Sequence, residues 1–230
     1  MRTTLATAAL LLLSWPLAAQ GRFEGTVTYR VTGERGAADM TWSVKGDKTR
    51  VDMSGMGGQE MYLLMETGSG TFTSVMPGHR MYMTMDLRAM AERMGQGEHA
   101  HTPPPKITAT GKTETIAGRT CENYLVGDEP NVEVCAAKGM GFFLAPGGPM
   151  GRGRGPMASL GPLQELAKDP QYAKLFAEGF FPLRVTSLEG GARKVVMEAT
   201  RIEARALDDS LFVVPAGYTE MKMGEGMGRP

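Results

Sequence analysis

The stretch Phe23-Glu24-Gly25-Thr26-Val27-Thr28-Tyr29-Arg30-Val31 decides the fold class. Phe23, Gly25, Val27, Tyr29 and Val31 share one parity and the polar residues the other, the period of a half-buried β-strand. The pattern repeats downstream. Met40, Trp42 and Val44 alternate with Thr41, Ser43 and Lys45, Gly46-Asp47 turns the chain, and Thr49, Val51 and Met53 alternate with Arg50, Asp52 and Ser54. That is a hairpin. Further strands are expected at 60–66, 71–76, 80–86, 106–111, 119–126, 131–137, 181–189, 193–205 and around Ser210–Val214. Short polar turns such as Gly68-Ser69-Gly70 and Pro77-Gly78 separate them, which predicts one antiparallel sheet of about eleven strands.

Helical spacing is sparse. Leu87, Met90, Ala91 and Met94 follow Asp86, a good N-cap. Leu160, Leu163 and Leu166 mark a second segment; Asp169-Pro170 opens a third, carrying Tyr172, Leu175 and Phe176 and stopped by Gly179. Two or three short helices cannot cover both faces of such a sheet. The expected architecture is therefore mainly β, and a strongly curved sheet with helices over its concave face would need only that many.

The chain has 230 residues, 42% of them hydrophobic, with 25 Lys+Arg against 25 Asp+Glu. It can bury a core, and its balanced charge argues against a nucleic-acid partner, which demands excess Lys and Arg. Met1-Arg2, the apolar run Leu5 to Leu13 and Pro16-Leu17-Ala18-Ala19 are ordered as in a secretory signal peptide. Residues 1–19 are thus expected to be removed before Gln20, leaving a single domain over 20–220 and a frayed tail at 221–230. The apolar run is shorter than the ~20 residues of a membrane span, so a periplasmic or secreted protein without a transmembrane segment is expected. Residues 139–157 hold 7 Gly and 3 Pro. With no aromatic interleaving, Gly151-Arg-Gly-Arg-Gly155 reads as part of a flexible insertion rather than an RNA-binding run.

Two cysteines, Cys121 and Cys135, flank the turn-forming run Gly127-Asp128-Glu129-Pro130-Asn131. With Asp128 at the tip, the two cysteines oppose each other, and an oxidising compartment favours their disulfide over free thiols or a metal pair.

No catalytic constellation stands out. Gly68-Ser69-Gly70 lacks the spacing of a nucleophile elbow, and phosphate-loop and dinucleotide fingerprints are absent. The expectation is a non-enzymatic protein without a cofactor. One feature has a chemical flavour: His79-Arg80-Met81-Tyr82-Met83-Thr84-Met85 places three thioethers on one strand face beside an imidazole. Thioether and imidazole suit copper. The same alternation recurs without histidine at Met61, Leu63 and Met65, where flexible methionines would simply fill a core or line a pocket.

Three phrases carry a resemblance. The opening Phe23–Tyr29 with Val44-Lys-Gly-Asp-Lys-Thr-Arg50-Val-Asp52, and the central Ala109-Thr-Gly-Lys-Thr-Glu-Thr-Ile-Ala-Gly118-Arg-Thr-Cys121-Glu-Asn-Tyr124, resemble an uncharacterised secreted bacterial family, domain of unknown function 4412. The closing Asp208-Asp-Ser-Leu-Phe212-Val-Val-Pro215-Ala-Gly-Tyr218 is similar to the ending of lipoprotein-carrier (LolA-like) folds. The resemblance implies a curved, incompletely closed antiparallel sheet, a half-barrel, with helices in its mouth, and it carries over no catalytic residue.

The leading expectation is an exported binding protein that holds an acyl chain or other hydrophobic ligand. Lining candidates are Val27, Tyr29, Trp42 and Val44 on the early strands, with Leu63, Met65, Met83 and Met85 on the later ones. The alternatives are a copper-binding periplasmic protein using His79, Met81, Met83 and Met85, and a structural envelope protein whose hollow is self-filled.

Overall fold

The computed structural model describes residues 23–33, 36–53, 60–66, 71–86, 106–127, 131–141 and 170–222. The expected signal segment, the helices at 87–94 and 160–168, most of the 139–157 insertion and the tail beyond 222 lie outside the described residues.

Twelve strands form one open, curved sheet. In chain order they are β1 (Glu24–Gly33), β2 (Gly36–Lys45), β3 (Lys48–Met53), β4 (Met61–Glu66), β5 (Thr71–Met76), β6 (Met81–Asp86), β7 (Ile107–Ile116), β8 (Arg119–Val126), β9 (Val132–Ala137), β10 (Phe181–Ser187), β11 (Lys194–Ala204) and β12 (Thr219–Glu220). The spatial order is β12-β6-β5-β4-β3-β2-β1-β11-β10-β9-β8-β7. Two meanders, β1–β6 and β7–β11, therefore meet where β1 pairs with β11. The first and last of the eleven long strands seal the middle of the sheet.

The alternation in β1 is realised: Phe23, Gly25, Val27 and Tyr29 are buried, while Arg30 is exposed. Gly25 is required here, because a Cβ would stand 2.0 Å from the Glu203 carbonyl oxygen on β11. One apolar cluster runs through both meanders, from Trp42, Val51 and Leu63 to Val134, Phe181 and Val185. One α-helix is present among the described residues, α1 (Ala173–Ala177). Phe176 packs its ring on Phe180 at 5.6 Å, and Phe180 packs on Tyr124 at 5.3 Å.

Three expectations are corrected. Gly111 does not end its strand: β7 continues to Ile116, with Gly111 at φ +72° inside a register shift between Ala109 and Thr113. The sheet absorbs the glycine as a bulge. The segment near Ser210–Val214 is a 3-10 turn at Asp209–Phe212, its first turn fixed by the Asp208 carboxylate accepting from the Ser210 amide at 2.8 Å. The sheet is also not wholly antiparallel, since β12 runs parallel to β6. The Thr219 and Met221 amides donate to the Arg80 and Tyr82 carbonyls at 2.9 and 2.7 Å.

The segment leading to β12 straps the other face of the first meander. Tyr62, Leu64 and Val75 form a small second core there, against which Val214 and Tyr218 pack. Lys45 Nζ donates to the Leu207 carbonyl at 2.8 Å and Arg50 Nη1 to the Leu211 carbonyl at 3.4 Å. The Arg50 guanidinium also stacks 3.8 Å over the Tyr62 ring.

Candidate functional site

Sheet register assembles the candidate site. Val27 pairs with Trp42, Trp42 with Val51, Val51 with Leu63, Leu63 with Ser74 and Ser74 with Met83, one row across six strands. The row on one side is Gly25, Val44, Thr49, Met65, Phe72 and Met85. The row on the other side runs Tyr29, Met40, Met53 and Met61. Paired residues in a ladder point to the same face. All eight expected lining residues therefore share one face of the first meander.

Their exposure is graded. Val27 and Tyr29 are fully buried, Val44 keeps 7% exposure and Met85 5%. Met83 is half-buried, as are Met40, Met53 and Met61 along the outer row. Tyr29 is pinned. Its hydroxyl donates to the Pro182 carbonyl on β10 at 2.8 Å, and its ring meets Trp42 edge-on at 6.2 Å. Complete burial holds its phenol well above the usual tyrosine range.

A second hollow, missed in the sequence, opens in the other meander. It measures about 330 Å³ and is lined by Ile107, Ala109, Tyr124, Leu175, Lys138, Lys174 and Glu178. The Tyr172 hydroxyl docks α1 here by accepting from the Ile107 amide at 3.2 Å. The Lys138–Glu178 pair at 2.8 Å sits at the lip; the lysine holds the Glu178 carboxyl below its ordinary value. Burial, with the hydrogen bond to Glu122, drives the Tyr124 phenol upward. None of the eight residues on the first meander lines this hollow. The Tyr172/Leu175/Phe176 spacing was the available signal, and it located the helix but not the strands beneath it.

The methionine row is redistributed by the sheet. Met85 is buried, Met81 and Met83 are half-buried, and His79 is exposed in the 3-10 turn Pro77–His79. Met81 stands directly opposite Met76, and the Ser74 hydroxyl lies 3.3 Å from Met61 Sδ as its donor. Neither Met76 nor Met61 was a candidate from sequence, although folding the chain about Pro77-Gly78 brings 76 against 81.

Cys121 and Cys135 are joined by a disulfide, with Cα atoms 5.3 Å apart. The register is not the expected one. Asn123, not Cys121, stands opposite Cys135, so the hairpin is shifted by two residues and the bond is diagonal. On that outer face Arg184 bridges Glu198 and Glu114, and Glu114 also accepts from Asn123 at 2.9 Å. Arg184 and Asn123 together hold the Glu114 carboxyl below its usual value.

Among the described residues no helix is long and apolar enough to cross a membrane. The class so defined is a disulfide-bonded, open, mainly β sheet with one face of its first meander apolar. The chain belongs to the family described as Domain of unknown function (DUF4412), which matches it over residues 23–218. No curated protein matches it.

Proposed function

We propose that the protein is an exported, non-enzymatic binding module of LolA-like design that holds an acyl chain or similar hydrophobic ligand. The observation that carries this reading is the gradient on one face of β1–β4. A buried floor of Val27, Trp42, Val51 and Leu63 gives way to a half-buried rim in which Met40 and Met53 pack on the core. Flexible methionines at the rim of an apolar surface suit a ligand that varies in shape. In this reading the concave face carries the ligand, and the disulfide belongs to the periplasmic or secreted setting.

The test uses a fatty-acid probe. A ligand selective for the folded state raises Tm by mass action, and Trp42, the single tryptophan left after removal of residues 1–19, should change its emission. Val44→Asp, at the edge of the floor, should weaken the probe because a charge there resists desolvation. No shift in Tm with any acyl or aromatic probe overturns the proposal. A second reading then gains, favoured by the complete burial of Val27 and Tyr29: a structural envelope protein whose hollow is filled by its own side chains.

A further inference from the structure

We propose that Met61, Met76, Met81 and Met83 form a thioether site for a soft monovalent cation of the Cu(I)/Ag(I) class. The site is set by cross-strand register on β4, β5 and β6, not by the run of methionines along β6. Ser74 is its centre. Met83 stands directly opposite Ser74, Met81 directly opposite Met76, and Met76 lies two residues along β5 from Ser74 on the same face. Met61 completes the set from β4, and the contact between its sulfur and the Ser74 hydroxyl places that sulfur over β5 rather than over its own strand. Directly opposed Cβ atoms in such a ladder lie about 4.5–5.5 Å apart and diagonal ones about 7–8 Å. Unbranched three-torsion side chains close those gaps easily.

The four side chains and Ser74 are all half-buried, whereas Met65 and Met85 on the adjoining row are buried. Each of these four residues therefore keeps part of its surface open to solvent, within reach of an ion. The chemistry of the donors selects the ion. Four neutral thioethers bring no charge to offset a divalent cation, and thioether sulfur prefers Cu(I). Among the described residues no three of His, Cys, Asp and Glu gather at metal-binding distance. A cation held by these four residues rests on sulfur and is monovalent and soft. Ser74 acts as a positioning residue, since its hydroxyl fixes the Met61 sulfur.

The experiment titrates Ag(I), which is redox-inert, into the exported protein labelled with 13C at the methionine methyl groups. Cu(I) affinity is measured in parallel by competition with a chromogenic chelator under reductant. One equivalent of Ag(I) should move the methyl resonances of Met61, Met76, Met81 and Met83 and leave those of Met65 and Met197 in place. Replacing all four with Leu keeps volume and apolarity but removes sulfur. Losing a ligand weakens binding by no less than losing a group that orients one, so each single Leu variant should lose about 10–100-fold in affinity. Met65→Leu and Met85→Leu should leave affinity unchanged. Shifts confined to other methionines, or no stoichiometric binding, overturn the proposal; so does full affinity in the single variants. The resonances are read on the wild-type chain, so the site is tested even if the fourfold variant does not fold. The fatty-acid probe is a separate measurement, and either proposal can fail without the other.

Discussion

Replacing Tyr29 with Phe asks whether that residue belongs to a closed core or to a wet hollow. The hydroxyl donates to the Pro182 carbonyl at 2.8 Å across two strands, and the side chain is fully buried. Deleting the donor while leaving the acceptor buried costs about 1–3 kcal/mol. The same burial holds the folded-state phenol well above 10.0. In the unfolded chain Tyr29 loses its proton near pH 10 while the folded form keeps it, so the wild type's advantage is whole below that pH and drains away above it. A single group drains about 1.4 kcal/mol per pH unit. Tyr29→Phe has no such proton to lose. Its deficit against the wild type should therefore be full at pH 8 and shrink steadily above pH 10, vanishing about 1–2 units higher. The phenols of Tyr62 and Tyr124, also raised by burial, are common to both chains and cancel. Urea unfolding followed by Trp42 emission between pH 8 and about 12 reads the whole curve. A deficit that stays constant with pH, or no deficit at pH 8, refutes the reasoning and places the hydroxyl in water.

Two further outcomes follow from the covalent and strap contacts. Replacing Cys121 and Cys135 together with Ala opens a loop spanning 14 positions, about 3 kcal/mol in the chain-entropy model. Tm should fall by about 6–12 °C at 2–4 °C per kcal/mol, and reductant should lower the wild type but not the variant; a shift below about 2 °C would contradict this. Tyr218→Ala uncovers the small core of Tyr62, Leu64 and Val75 and should cost about 1–3 kcal/mol. Hydrogen exchange at the Thr219 and Met221 amides should accelerate while β8–β10 stays protected. Uniform acceleration across the sheet would mean the strap is not a separable unit.

Alternation along single strands was legible because it is local. Val27/Thr28/Tyr29 and Trp42/Ser43/Val44 declare their faces through two-residue periodicity alone, and Gly46-Asp47 admits one hairpin register. Register elsewhere was not legible. Between Cys121 and Cys135 the turn-forming run 127–131 offers several tips, and the observed register sets Asn123 rather than Cys121 opposite Cys135, moving every partner by two. The disulfide expectation survived because the two Cα atoms still stand 5.3 Å apart. β12 left no trace in hydrophobic pattern: two residues held by backbone hydrogen bonds to β6 need no apolar side chains. The same limit hid Met61 and Met76. Their proximity to Met81 and Met83 comes from three strands pairing, which no single-strand period reveals.

The two faces of the first meander now constrain what the methionine rim is for. The face bearing Tyr62, Leu64 and Val75 is covered by the chain's own strap, tied down through Lys45 and Arg50. The face bearing Trp42 and Leu63 instead ends in half-buried thioethers at Met40, Met53, Met61, Met76 and Met81. A rim made only to close a core would bury these side chains as fully as Met65 and Met85, since the apolar term scales with area removed from water. On the proposed reading, partial exposure on successive strands from β2 to β6 serves an occupant that comes and goes. An acyl chain recognises apolarity and volume, which Leu preserves; a soft cation recognises sulfur, which Leu lacks. The fourfold Leu variant at Met61, Met76, Met81 and Met83 therefore separates the two occupants in one protein. Acyl binding that persists while Ag(I) binding disappears assigns the rim's shape to the ligand and its sulfur to the ion. Loss of both in a folded variant would mean that methionine flexibility, rather than apolarity, governs the ligand. Persistence of both would remove the sulfur argument altogether.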